Sequence, residues 1–173
     1  VITDSIENGV KRMSVTGSCL ADSIIAAEIA EEYSETCVST AGIHPHNAKE
    51  YSLELFSEIK DLLNKDSVKC IGETGLDFNR NFSSPEQQIK SFEAHLELSI
   101  EKDLPLFLHE RDAHKKFVEI TSTCINDLPK SVVHCFTGEK DSLIKYLDMG
   151  FYIGITEWLC DERRGCLLYT SDA

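Results

Sequence analysis

Six short apolar runs, separated by stretches of helical periodicity, constrain the fold more than anything else in the chain. They are Ser14–Thr16, Val38–Ile43, Val68–Gly72, Leu106–Leu108, Val132–Val133 and Tyr152–Ile155. A parallel strand buried on both faces reads as a nearly continuous apolar run, as these do. Between them, Leu53, Phe56, Ile59 and Leu63 mark one amphipathic helix, and Ile89, Phe92, Leu96 and Ile100 a second. Leu143, Ile144 and Leu147 mark a third, stopped by Gly150. The second opens on Ser84 as N-cap, Pro85 at the first helical position and Gln87 completing a capping box. Strand–helix alternation predicts an α/β fold with a parallel sheet, a TIM-barrel-like (β/α) architecture in one domain. A chain of 173 residues buries roughly 70% of its unfolded surface, but a full eight-stranded barrel needs about 250 residues. The N-terminus starts in a helix-like stretch with no strand before it. After Arg164, residues 165–173 carry neither amphipathic nor strand pattern. The expectation is a partial barrel over residues 1–164 and an atypical tail over 165–173.

Three of the runs end on polar residues able to bind metal. Ile71-Gly72 leads into Glu73, Leu106–Leu108 into His109, and Val132-Val133 into His134. A carboxylate or imidazole at the end of a buried strand is costly unless something pairs with it. Each alone is explained by hydrogen bonds to a loop. Three at equivalent positions point to one divalent-metal site on the C-terminal face of the sheet. Mixed carboxylate and imidazole ligands suit Mg, Mn or Zn.

The flanking residues supply further candidates. In Gly42-Ile43-His44-Pro45-His46 two histidines two apart in extended chain project to one side, able to bind phosphate or protonate a leaving group. They also read as polar turn residues. Asp77 fits an N-cap or loop salt bridge better than Glu73 does, and Arg80 either holds a phosphate or pairs with Asp77. Arg111 has the fork geometry of a phosphate clamp, Asp112 reads as an N-cap, and Glu110 as structural. His95 and His114 sit within helical patterns and read as ordinary surface or partly buried residues.

Net charge is −13, which disfavours tight, salt-sensitive binding of many phosphates. It leaves open a nuclease that grips one or two phosphates through metal ions. Cysteines 19, 37, 70, 124, 135, 160 and 166 form no C-x-x-C pair and fit buried thiols in a reducing cytoplasm. No apolar stretch approaches the ~20 residues of a membrane span, and the start lacks signal-peptide character.

Together, GIHPH, GETGLDFNRNFSSPEQQ, H-x-RDAH, HCFTG and YIGIT-x-W-x-CDERRG resemble the TatD-type metal-dependent deoxyribonucleases over about Val10 to Arg164. The resemblance implies a TIM-barrel relative of the amidohydrolases that hydrolyses phosphodiesters. It implies a Mg-dependent exonuclease trimming single-stranded DNA from the 3′ end, with RNA as a further substrate, in DNA repair or turnover. Glu73, His109 and His134 become the metal ligands, with Glu73 and His44 catalytic. His44, His46, Arg111 and Arg80 become substrate contacts, with Arg163-Arg164 outside them. The protein is expected to be a cytoplasmic monomer. Family members carry a first strand with H-x-H and a last strand with E-T-D, and neither is recognisable here. The chain then corresponds to about strands two to seven, with lowered stability and activity expected. The rival readings are a barrel amidohydrolase or lactonase and an inactive metal-binding fragment.

Overall fold

The structure is a computed structural model that describes residues 1–156. The C-D-E-R-R-G motif, Arg163-Arg164 and the tail over 165–173 lie outside the described residues. Helix α1 (Ile2–Glu7) precedes strand β1 (Met13–Val15), α2 (Leu20–Glu32) and β2 (Cys37–Ala41). A 3-10 helix (Pro45–Glu50) and α3 (Leu53–Leu62) lead to β3 (Val68–Asp77) and α4 (Pro85–Lys102). Then follow β4 (Leu106–Arg111), α5 (His114–Ser122), β5 (Val132–Val133), α6 (Lys140–Asp148) and β6 (Tyr152–Ile153). All six strands are parallel and lie in chain order, curling into half of a TIM-barrel-like wall with helical crossovers. The expected fold class is what the chain adopts.

Local chemistry explains the boundaries. Ser84 accepts the Gln87 N–H at 3.3 Å while Gln87 Oε1 accepts the Ser84 N–H at 2.8 Å, so the predicted capping box starts α4. The left-handed Asp103, at φ 51°, ends it. Ser52 caps α3 through the Leu55 N–H at 3.1 Å. The core is continuous across the sheet: Ile71, Leu106 and Leu108 are buried, and Phe92 of α4 stacks on Phe117 of α5 at 5.2 Å.

Several sequence expectations need correction. Leu53, the first residue of α3, is 76% exposed, while Phe56 of the same stripe is buried. Ile100 is also exposed, and His95, read as an ordinary surface or partly buried residue, is instead fully buried on the inner face of the same helix. On α6 the side chain that is buried is Tyr146, while Ile144 and Leu147 face outward at 46% and 54% exposure. Asp112 does not cap α5: its backbone is left-handed and its carboxylate accepts Asn79 Nδ2 at 2.6 Å. Glu110 takes over instead, accepting the Ala113 N–H at 2.8 Å and the Tyr146 hydroxyl at 2.8 Å.

Candidate metal centre

The site grows out of an irregularity in β3. Gly72 pairs with Phe107 and Thr74 with Leu108, so Glu73 is an extra residue in the ladder with β4. Such a bulge re-aims a side chain. The Glu73 N–H turns away from β4 and donates to the Gly17 carbonyl at 2.7 Å. Close strand approach requires glycine beside it. At Gly75, with φ +139°, a Cβ would stand 2.0 Å from the His109 carbonyl oxygen.

The bulge carries the Glu73 carboxylate to the ends of three other segments. Its Oε1 lies 3.0 Å from His109 Nδ1, 2.6 Å from His134 Nε2 and 3.3 Å from His44 Nε2. The carboxylate side chain is only 13% exposed. Burial favours its neutral form, but the hydrogen bonds from His109, His134 and His44 outweigh burial. They hold the carboxyl well below the usual range. Burial lowers the His44 pKa, with Glu73 pulling in the opposite direction.

His44 and His46 both face the site, though not as a run of extended chain. His44 caps the 3-10 helix, its Nδ1 accepting the His46 N–H at 3.1 Å, and His46 lies within that helix. The rings meet edge-on at 4.3 Å. With Nδ1 accepting, the proton of a neutral His44 sits on Nε2, toward Glu73.

Asp77 is the site residue that the sequence reading assigns elsewhere. It is 1% exposed, and its Oδ1 accepts the N–H groups of Asn79 at 3.0 Å and Arg80 at 2.9 Å. Its Oδ2 accepts His46 Nε2 at 2.7 Å and lies 3.5 Å from His109 Nε2. Burial raises its pKa, while the Arg80 N–H and the His46 ring lower it, and the lowering wins. The sequence places the end of this strand at Gly72, whereas β3 runs on to Asp77 and so brings its carboxylate to the site. Gln88 of α4 then fixes the strand end, accepting the Asp77 N–H at 2.8 Å and donating to the Asp77 carbonyl at 3.0 Å.

Two observations test whether these residues fit a cation. Three imidazole nitrogens crowd one carboxylate oxygen, more donors than its lone pairs accommodate well. His109 Nε2 is buried without a hydrogen-bond partner. If His109 carries its proton on Nε2, toward the Asp77 carboxylate 3.5 Å away, Nδ1 turns a lone pair toward the Glu73 oxygen, and a cation between them reconciles the two acceptors. Ligand atoms of His44, Glu73 and His109 lie within 4.8 Å of one another. With both His44 nitrogens engaged, Glu73 and His109, joined by His134 at 2.6 Å from Glu73, are the donors that suit a divalent ion.

His134 follows β5, its ring stacked on Phe107 at 4.5 Å, and Cys135 at φ 49° ends the segment. The two arginines lie outside this cluster. Arg80 meets Asp77 through its backbone N–H, and its exposed side chain makes no ion pair among the described residues. Arg111 ends β4 two residues beyond His109, and its carbonyl accepts the Phe78 N–H at 3.0 Å.

A family model described as TatD related DNase matches residues 1–167. A protein from Pantoea ananatis named 3′-5′ ssDNA/RNA exonuclease TatD is 45% identical over 168 residues, covering 97% of this chain and 65% of that one. Its namesake from Yersinia pseudotuberculosis is 46% identical over 165 residues, covering 95% and 64%. The chain thus spans just under two thirds of the length of these relatives. Among solved structures, a hydrolase TatD family protein from Entamoeba histolytica superposes with a TM-score of 0.81 at 31% identity, covering 88% of this chain and 54% of that one. An uncharacterized amidohydrolase from Saccharomyces cerevisiae superposes with a TM-score of 0.77 at 28% identity, covering 89% and 59%.

Proposed function

Because the chain belongs to the TatD related DNase family, we propose that the protein is a metal-dependent nuclease that hydrolyses phosphodiester bonds in single-stranded DNA from the 3′ end, and in RNA. The observation that carries this reading is the convergence of His44, His109 and His134 on one oxygen of Glu73. Relatives that share about 45% of their residues with the chain bear the name of such an exonuclease.

Glu73, His109 and His134 would hold the cation, with Mg the first candidate and Mn or Zn compatible with the same donors. Bound there, it supplies Lewis acidity to a phosphoryl oxygen and to the attacking water. The chain's own residues do the rest. Glu73, kept ionised by the imidazoles, provides the fixed negative charge of the site. His44 presents an Nε2–H that can pass from Glu73 to a phosphoryl oxygen. His46 is oriented by Asp77, while Arg111 and Arg80 flank the cluster as phosphate contacts. The five described cysteines are free thiols, which supports a reducing, cytoplasmic setting.

The test is a gel assay with a single-stranded substrate labelled at its 5′ end, in Mg. Progressive shortening that stops with chelator and in Glu73→Gln is expected. Turnover of a lactone or amide without shortening would move the chemistry to a carbonyl. Calorimetry that detects metal without any turnover would leave a metal-binding protein.

A further inference from the structure

The F-N-R-N-F segment after β3 contains a residue that no part of the site uses. Phe82 is 57% exposed, and it stands directly against the cluster, its ring 4.8 Å from that of His46 and nearly perpendicular at 87°. A perpendicular contact occupies at most one face of the Phe82 ring, so an aromatic face stays open beside the histidine cluster.

The turn that carries the ring is held from both sides. Before it, Asn81 is left-handed at φ 50°, and its side-chain amide donates to the Phe78 carbonyl at 2.8 Å. After it, buried Ser83 donates to the His46 carbonyl at 3.0 Å and accepts the Lys49 N–H at 3.0 Å. Gln88 binds the Ser83 carbonyl at 3.0 Å, and Ser84 opens α4. The turn is therefore tied to β3, to the 3-10 helix and to α4 at once. An exposed phenyl ring on a turn tied by so many bonds, and set edge-on against His46, is preorganised for a flat partner. Two residues earlier, Arg80 projects an exposed guanidinium that has no ion pair among the described residues. An aromatic face beside a cation is the combination that grips single strands, where each base offers a π-face and the backbone a charge.

We propose that Phe82 is the platform on which a base of the single-stranded substrate stacks as its phosphate enters the site. Stacking is indifferent to base identity, so the platform fixes position without imposing a sequence. This inference rests on the nuclease reading above.

The test measures affinity by fluorescence anisotropy in Mg, using a phosphorothioate-linked single strand that resists hydrolysis. Loss of one stacked base weakens binding by about 5- to 150-fold. Phe82→Leu should show a loss in that range, and Phe82→Trp should retain or tighten binding. A strand lacking bases at its 3′-terminal residues should bind the wild type as weakly as Phe82→Leu binds the normal strand. Phe82→Leu should hardly distinguish the two strands. With cleavable substrate, Phe82→Leu should raise KM and leave kcat near its original value. If the wild type binds and shortens DNA but Phe82→Leu binds normal and abasic strands as the wild type does, the platform is overturned and the nuclease reading stands. If the wild type neither binds nor shortens any strand, both fall.

Discussion

Strands β3 and β4 run for ten and six residues beneath a helix that buries seven side chains, whereas β5 and β6 run for two residues each beneath a helix that buries one. The candidate site straddles this divide. Glu73, Asp77 and His109 stand on the thick side, with His46 tied to it through Asp77. His134 stands on the thin side and reaches the cluster through its contact with Glu73 and its stack on Phe107. Positional accuracy at a site comes from rigid elements whose side chains are locked by packing. The thick side thus sets the geometry, and His134 docks against it.

The strongest challenge to this contrast is a core deletion. Phe92→Ala should cost about 3–5 kcal/mol by urea unfolding, since Phe92 is fully buried against Phe117. A cost below ~1 kcal/mol would mean that α4 does not anchor the sheet.

Acid probes the same helix. The Nδ1 of His95 donates to the Ser91 carbonyl at 2.7 Å and its Nε2 accepts the Ile43 N–H at 3.1 Å. Protonation would set two N–H donors against each other in a buried site. Burial pushes the pKa down to about 4, against ~6.5 unfolded. This depressed value stabilises the fold fully above pH 6.5, and the contribution is lost as pH falls from 6.5 toward 4. About 3 kcal/mol should disappear across that window. His95→Gln should flatten the pH dependence of the unfolding midpoint; an unchanged slope would place the titrating group elsewhere.

Metal affinity measures the divide at the site itself. Glu73→Gln should lose at least about 100-fold by calorimetry, and His134→Ala nearer tenfold, because a docked residue leaves the rest of the geometry in place. The reverse order would put the centre of the site on β5.

Within the thin side, Tyr146→Phe removes a hydroxyl that donates to Glu110 Oε2 and lies 2.9 Å from His114 Nδ1. It should cost about 1 kcal/mol. Leu147→Ser, on the outer face of α6, should stay within ~0.5 kcal/mol. A larger loss would reveal an unseen neighbour over that face.

The six strands were legible because buried parallel strands announce themselves as apolar runs. The α4 start was legible because a capping box is local chemistry. Glu73, His109 and His134 stood out for a similar reason: each interrupts an apolar run at its end. What could not be read depended on partners far away in sequence. Asp77 looks like a loop carboxylate until His46, 31 residues earlier, arrives to bond it. His95 looks like an ordinary helical residue until the Ile43 N–H meets its ring. The run of β3 past Gly72 hid behind Glu73 and Thr74, polar residues that the bulge accommodates. Ile144 and Leu147 were misread because periodicity marks an apolar face and says nothing of what covers it.

Gly75 carries no functional group, and the His109 carbonyl oxygen stands 2.0 Å from where its Cβ would be. Any other residue must push that carbonyl away by more than the ~0.5 Å that a working constellation tolerates. A mutational scan of activity would therefore score Gly75 as intolerant as Glu73. The scan would be recording the width of a gap between two strands, a dimension on which the site depends as much as on any reactive atom.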